Sequence, residues 1–258
     1  MSASRLLVVN ADDFGFTSDV NDGIVEAHLR GILTATTLMA GGAAFEHAVQ
    51  LARRTPSLDV GCHLALTGAD SVLSPGRALP DSVAQLVAAI ALGRIRIYDE
   101  FAAQVRKIQD TGISLTHLDT HKHTHMLPAV ATALARVASE SQIRWVRRPL
   151  PVPVLGPLLG LKLARRGCRM TDHFAGYGLT GRLGQTALVQ LIRRLPEGTT
   201  ELMCHPGYLR AELRVARTRL RESRERELEA LTSPAARQAL AEAGVRLVNF
   251  RSLERDSD

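Results

Sequence analysis

The sequence predicts an α/β protein, with mostly parallel strands in a barrel-like sheet ringed by helices and one domain spanning residues 1–258. Apolar runs typical of buried strands alternate along the chain with segments of helical periodicity, a pattern typical of parallel sheets. The length of 258 residues and the hydrophobic content of 45% suffice for one large core. We expect seven strands, since a (β/α) barrel of this length is ordinary.

The strand predictions rest on apolar segments bounded by polar or turn-forming residues. They are residues 5–11, 33–40, 58–66, 113–120, 143–148, 199–205 and 245–250. The helix predictions rest on the 3.6-residue period, and several begin near Ser, Asp or Pro. They are residues 18–30, 43–54, 81–92, 98–111, 127–140, 184–194, 216–231 and 234–243.

Two stretches interrupt this alternation. Residues 67–80 contain Gly, Pro and Ser and predict a loop after the third strand, over the carboxyl edge of the sheet. Residues 149–183 begin with a proline-broken apolar run and predict an irregular insertion or lid. Within it, the apolar part at 150–163 is followed by basic residues, so a surface that touches lipid is the alternative to a loop packed on the core.

The composition argues against a nucleic-acid partner. The net charge is +6, but the 29 arginines are spread along the chain, and those in 205–229 alternate with glutamates as on a solvated helix face. Aromatic residues, which stack on bases, make up only 4% of the chain. The three cysteines are widely spaced, and no signal peptide or membrane span is recognisable, so we expect a cytoplasmic protein.

The first predicted strand ends in two adjacent carboxylates, Asp12 and Asp13. Sites in α/β proteins assemble at the carboxyl ends of strands, whereas taken alone the pair is also typical of a turn. Neighbouring strand residues face opposite ways, so the two acids should differ in role, one holding a metal and the other moving protons. Both reach one site only if the strand breaks into its loop at this point.

Histidines follow three other predicted strands. His63 ends the third strand, His205 ends the sixth, and a cluster follows the fourth. The cluster consists of His117, His121, His123 and His125. His63 and His205 alone are equally typical of buried structural residues, and the cluster alone could be a solvated histidine-rich loop. The coincidence of four such strand ends nevertheless indicates an active site.

A carboxylate with two imidazoles suits a divalent metal, which acidifies water and polarises a carbonyl for hydrolysis. Two alternatives stay open from the residues. His117 and Asp119 match the His-x-Asp pair of iron oxygenases with two histidines and one carboxylate, although those usually have all-β folds. The other alternative is a binding protein without catalysis, and the family resemblance given below makes its expected ligand a sugar.

Four ordered motifs and a later tripeptide resemble the YdjC-like carbohydrate deacetylases, the ChbG/HpnK family. The motifs are residues 9–15, 31–37, 61–67 and 116–125, with His205-Pro206-Gly207 near the end. The resemblance implies a (β/α) barrel-like fold and hydrolytic removal of the acetyl group from an N-acetylated sugar. The sequence departs from the pattern at Cys62 and Ala65, and nothing aligns over 149–183.

The resemblance also implies roles for particular residues. Asp13, His63 and His121 correspond to the metal ligands, Asp12 to the general base and His205 to the acid that protonates the departing amine. Three further residues are expected to bind or orient the substrate: Arg147, His123 and His125.

The cofactor expected from this reading is one divalent metal ion, Mg²⁺ or Zn²⁺ first, with Mn²⁺, Co²⁺ and Fe²⁺ as alternatives. The expected partner is a soluble chitooligosaccharide or an N-acetylglucosaminyl glycolipid such as a hopanoid glycoside, and the apolar 150–163 stretch favours the lipid and a peripheral membrane contact. A homodimer and a monomer are both compatible with the sequence.

Overall fold

The computed structural model describes residues 4–255, which form a parallel sheet curled into a half-barrel and ringed by helices, in a single α/β domain. The strands are β1 (Arg5–Phe14), β2 (Ala35–Leu38), β3 (Asp59–Leu64), β4 (His117–Thr120), β5 (Trp145–Val146), β6 (His173–Ala175), β7 (Gly198–Cys204) and β8 (Val245–Leu247). All seven predicted strands are present, and β6 is an additional one.

Eleven α-helices are present in the described part of the chain. They are α1 (Ser18–Arg30), α2 (Phe45–Arg54), α3 (Val83–Ala91), α4 (Ile97–Gln109), α5 (Pro128–Glu140), α6 (Leu155–Ala164), α7 (Gln185–Arg193), α8 (Ala211–Val215), α9 (Glu222–Thr232), α10 (Pro234–Ala243) and α11 (Phe250–Arg255). Short 3₁₀ segments cover His121–Met126 and Tyr177–Leu179. None of the helices between residues 4 and 255 is long and apolar enough to cross a membrane.

The strand order is β5-β4-β3-β2-β1-β7-β6, and every pairing is parallel. β1 is central: β7 pairs with it from Arg5 to Ala11, while β8 pairs with its start and β2 with its end. The two outer strands β5 and β6 have no ladder between them, and near β5 the chain makes a single parallel bridge from Trp145 to Arg169. The sheet is therefore a half-barrel.

Burial explains why the strands were recognisable. β2, β3 and β4 are buried at every residue, and β1 is buried from Leu7 onward. Both faces of these strands are buried within the protein, so the strands appear in the sequence as continuous apolar runs.

Local capping explains the two helices whose ends match the prediction. The Thr17 hydroxyl accepts a hydrogen bond from the Val20 N–H and begins α1, and Ser233 does the same with Ala236 for α10. Gly244, with φ of 62°, ends α10 in the left-handed conformation that glycine adopts at low cost.

Two predicted segments differ in the structure. Residues 149–183, predicted as an irregular insertion, contain α6 and β6. Three prolines precede α6 and Pro157 lies in its first turn, where proline is tolerated, and β6 has only three half-buried residues. The helix predicted at 216–231 begins only at Glu222, and residues 217–220 are non-helical and line a cavity at the carboxyl edge of the sheet.

Candidate active site

The predicted strand-end residues surround one cavity of about 470 Å³ at the carboxyl edge of the sheet. Asp12 and Asp13 come from the end of β1, His63 from β3, His121 from the residue after β4, and His205 from the residue after β7. Neighbouring parallel strands bring these positions together, as is usual for sites in α/β folds.

β1 breaks its regular geometry at the two carboxylates. Ala11 pairs with Thr36 and Phe14 with Leu38, so two residues of β1 lie opposite one residue of β2. This bulge coincides with a φ of 71° at Asp13, a left-handed conformation that is uncommon outside glycine but tolerated by Asp. The break in β1 allows both Asp12 and Asp13 to line the cavity, as expected if the two acids serve one site.

Three side chains form a donor set suited to a cation. One carboxylate oxygen of Asp13 lies 3.4 Å from Nε2 of His63 and 3.3 Å from Nδ1 of His121, and the two imidazole nitrogens are 3.1 Å apart. Their donor atoms all lie within 4.8 Å of one another. Two imidazoles and one carboxylate, open to a cavity, match the ligands of catalytic divalent metals.

Hydrogen bonds on the far side of His63 orient it toward this centre. Its Nδ1 lies 2.7 Å from Asp119 and 3.2 Å from the Thr37 hydroxyl. A carboxylate that accepts the second N–H of a ligating histidine is typical of metal centres, because it fixes the tautomer and ring orientation. Nε2 of His63 is thereby directed at Asp13 and His121.

The charge of the site also fits a cation. Burial alone would lower the pKa of His63, but the Asp119 and Asp12 carboxylates outweigh it and raise the pKa to about 10. The pocket thus favours a positive charge at Nε2. A divalent cation held by Asp13, His63 and His121 would take the place of that proton.

Asp12, His63 and Asp119 form a second cluster of possible metal ligands. An arginine side chain contacts both of its carboxylates. The Arg147 guanidinium contacts both oxygens of Asp12 at 2.6 and 2.7 Å, and Asp119 at 2.7 Å. Its Nε contacts Glu201 at 2.8 Å. This cluster is therefore a buried ion-pair network and not a second metal centre.

Arg147 lies beneath the site instead of on its wall. The residue is 2% exposed and is absent from the cavity lining, so its place is behind Asp12, where it positions the carboxylate. Burial would raise the pKa of Asp12, but Arg147 holds it well below its ordinary value and keeps Asp12 ionised. Burial raises the pKa of Glu201 to about 7, despite the same arginine.

Replacing Arg147 with Met is expected to destabilise the protein by roughly 3–5 kcal/mol, the usual loss when one partner of a buried ion pair is removed. Asp12, Asp119 and Glu201 would all lose their cationic partner. Chemical denaturation of both proteins measures the difference, with the exposed Arg54→Met as matched control, expected to change by less than about 0.5 kcal/mol. Equal stability of Arg147→Met and wild type would contradict the network.

His205 lines the cavity opposite the histidine ligands. Its backbone N–H donates to Glu227 at 2.6 Å, which anchors the residue after β7. Burial lowers the pKa of His205 to about 4, although Asp12 and Asp13 oppose the shift, so the ring is neutral near pH 7.

Arg224 is the site residue that the sequence did not single out. It comes from α9, is 1% exposed, and its guanidinium contacts the second oxygen of Asp13 at 2.5 Å. The prediction of a solvated face for this arginine-rich segment is wrong at Arg224 and Glu227, which are buried. The neighbouring charged residues are exposed as expected, for example Arg226 and Glu225.

Of the two other predicted histidines, one lines the cavity and one is buried away from it. His123 lines the cavity beside Tyr177, whose ring meets it edge to face at 5.0 Å. His125 is fully buried, contacts Thr120 at 2.7 Å and does not line the cavity. Burial lowers the pKa of His123 to about 2 and that of His125 to about 3, so both are neutral.

His117 and Asp119 do not form a joint ligand pair. Nε2 of His117 lies 2.9 Å from the Asn10 side chain, and its ring stacks on Phe250 at 4.0 Å. Asp119 contacts His63 and Arg147 instead. In the described part of the chain, His117 and Asp119 thus make separate contacts beneath the cavity and do not bind one metal together.

The fold and the site define a parallel α/β half-barrel with an Asp-His-His centre at its strand ends. A family model described as "YdjC-like protein" matches residues 6–242. The chain belongs to this family.

Relatives and solved structures agree with this assignment. The chain is 34% identical over 258 residues to a carbohydrate deacetylase of Vibrio cholerae and 32% identical over 255 residues to one of Vibrio campbellii, with 96% of both chains covered in each case. The structure of a putative cellobiose-phosphate cleavage protein from Enterococcus faecalis superposes with a TM-score of 0.84 at 26% identity, covering 97% of this chain and 99% of that one. A lactam utilization protein from Thermus thermophilus shares the fold alone, with a TM-score of 0.53 at 17% identity, covering 93% of this chain and 98% of that one.

Proposed function

We propose that the protein is a metal-dependent hydrolase that removes the acetyl group from an N-acetylated sugar. The observation that carries the proposal is the convergence of Asp13, His63 and His121 in one cavity that Asp12 and His205 also line. The carbohydrate deacetylases named above, which match along nearly their whole length, support the same reaction.

Asp13, His63 and His121 would hold the metal. When bound, a divalent ion supplies Lewis-acid polarisation of the acetamide carbonyl and lowers the pKa of water. Mg²⁺ and Zn²⁺ are the first candidates, and Mn²⁺ and Co²⁺ suit the same ligands. Arg224 neutralises the other oxygen of Asp13 and leaves one oxygen directed at the histidines.

Asp12 is the general base in this proposal. It is ionised at neutral pH because of Arg147, and only the ionised form can accept a proton from the attacking water. The same ion pair makes Asp12 a weak base, so the reaction depends on the water being acidified.

His205 is the proton donor to the amine nitrogen that leaves. Because its pKa is lowered to about 4, the neutral ring must gain a proton during the reaction, and in this proposal that proton is the one that Asp12 has taken from water. Water thereby supplies a hydroxyl group to the acetate and a proton to the amine, so atoms and charges balance.

The substrate is either a soluble chitooligosaccharide or an N-acetylglucosaminyl glycolipid such as a hopanoid glycoside. Exposed leucines on α6 favour the glycolipid, and a peripheral membrane contact would bring the enzyme to it. The three cysteines, all free and buried, support a cytoplasmic location.

The test is acetate release from a panel of soluble N-acetyl sugars and detergent-dispersed glycolipids, with metal analysis on the same preparation. Acetate release that depends on the metal is the expected result. Oxygen consumption without acetate would indicate the oxygenase, and binding without turnover under any metal would indicate a sugar-binding protein; either result would overturn the proposal.

Tyr177 is expected to form a stacking surface for the sugar ring. Its side chain is 53% exposed at the cavity wall, and His123 supports it from one side. Replacing Tyr177 with Ala should raise KM by roughly 2- to 10-fold with little change in kcat, since an aromatic contact contributes about 0.5–1.5 kcal/mol. Steady-state kinetics test this, with Tyr98→Ala on α4 as control, and an unchanged KM would count against the stacking role.

A further inference from the structure

Several apolar side chains of α6 and of the residues before it are exposed and form one surface. We call it the α6 face, and it consists of Val152, Val154, Leu155, Leu158 and Leu161. These side chains are between 36% and 73% exposed. Within residues 4–255, ten large hydrophobic side chains are exposed, and half of them lie in this ten-residue stretch. Single exposed apolar residues are ordinary, but such concentration is typical of a binding surface.

The opposite side of α6 is buried, which leaves the α6 face directed outward. Gly156, Leu159 and Leu163 form the buried side of α6, which packs on the protein. At Gly156 a Cβ atom would lie 2.3 Å from the Leu150 carbonyl oxygen, so the helix is held close to the preceding segment. The helix is thus apolar on its inner and its outer side. Helices with this pattern are usually buried on both sides.

Basic residues flank the apolar side chains. Lys162, Arg165 and Arg166 follow directly, and no Asp or Glu occurs from residue 144 to residue 171. In the described part of the chain, no carboxylate forms an ion pair with these three residues. A symmetric contact between two copies would bring the like charges together, whereas an anionic surface would neutralise them.

α6 packs on elements that adjoin the cavity. α6 packs on the 3₁₀ segment that carries His121 and His123 and on α5. The Leu150 N–H contacts the Met126 sulfur at 3.2 Å, and Lys162 Nζ donates to the Pro128 carbonyl at 3.3 Å. One segment, His121–Met126, therefore carries residues of the cavity wall and also packs against α6.

We propose that the α6 face docks the protein on an anionic lipid membrane. Apolar side chains that enter the headgroup boundary, together with flanking Lys and Arg, are the two elements of a peripheral membrane contact. This deepens the peripheral membrane contact that the proposed function names for a glycolipid substrate. Docking itself requires no catalysis, so a failure to bind vesicles would leave the proposed deacetylation untouched.

The experiment is co-sedimentation of the full chain, without substrate, with vesicles of phosphatidylcholine alone or with about one quarter phosphatidylglycerol. The wild type is expected to bind the anionic vesicles more strongly, and to be released as salt rises to about 0.5 M. The double variant Leu158→Ser with Leu161→Ser should bind about tenfold more weakly. Arg165→Gln with Arg166→Gln should lose most of the preference for anionic lipid.

The matched control is Leu29→Ser with Leu92→Ser, which alters two leucines of similar exposure outside this face. It should bind like the wild type, and circular dichroism checks that all variants are folded. Wild type that remains in the supernatant with anionic vesicles would overturn the proposal. So would equal weakening in the control, or a dimer in light scattering that the Leu158/Leu161 variant abolishes, since a second copy would then cover the face.

Discussion

Replacing His121 with Ala is expected to abolish metal binding and deacetylation together. His121 provides one of three donors, and Asp13 and His63 alone would leave the ion with two protein ligands. The loss in kcat/KM should exceed the roughly 10- to 100-fold that loss of an outer-shell partner causes. Elemental analysis of the purified variant and acetate release measure the two effects in one preparation.

The side chain of His121 is 21% exposed, so the variant should fold normally. His47→Ala is the matched control, because His47 lies outside the cavity lining with similar partial exposure. The control should retain metal and activity. Unchanged metal content in His121→Ala would remove this residue from the ligand set, and a folded, metal-free variant with full activity would refute the metal-dependent reaction.

Replacing Asp12 with Asn is expected to lower kcat by roughly 10²- to 10⁴-fold while metal content stays unchanged, because a general base is lost and no ligand is. The amide oxygen can still accept from Arg147, so the fold should persist. Acetate release and elemental analysis again measure the two quantities. The exposed Asp110→Asn should behave as wild type.

The contrast between the two adjacent acids makes this experiment informative. Asp13→Asn, beside it, should lower metal content as well as activity, since Asp13 is the predicted ligand. If Asp12→Asn loses metal to the same extent as Asp13→Asn, the two carboxylates share one role and the proposed division is wrong.

The sequence predicted those features that depend on local patterns. The strands were recognisable because parallel strands buried on both faces are continuous apolar runs, and Asp12, His63 and His205 were recognisable because polar residues ended those runs. β6 and α6 were missed, the first because three half-buried residues carry almost no pattern and the second because prolines precede it and Pro157 lies in its first turn.

Arg224 shows what local patterns cannot reveal. It stands among alternating arginines and glutamates, and nothing in its neighbourhood distinguishes it from the exposed Arg226. Its partner Asp13 is 211 residues away, and only the packing of α9 on α1 and α7 brings the two together. The bulge that turns Asp13 toward the cavity is likewise a result of pairing between strands.

The central position of β1 has a consequence for synthesis of the chain. One edge of β1 pairs with β7, which is made about 190 residues later. At typical translation rates of about 5–20 residues per second, that edge waits roughly 10–40 s for its partner. An unpaired strand edge is prone to aggregation, so the nascent chain depends on temporary protection until Cys204 has emerged. Chains truncated before β7 should therefore accumulate in inclusion bodies, even with Asp12, Asp13, His63 and His121 all present.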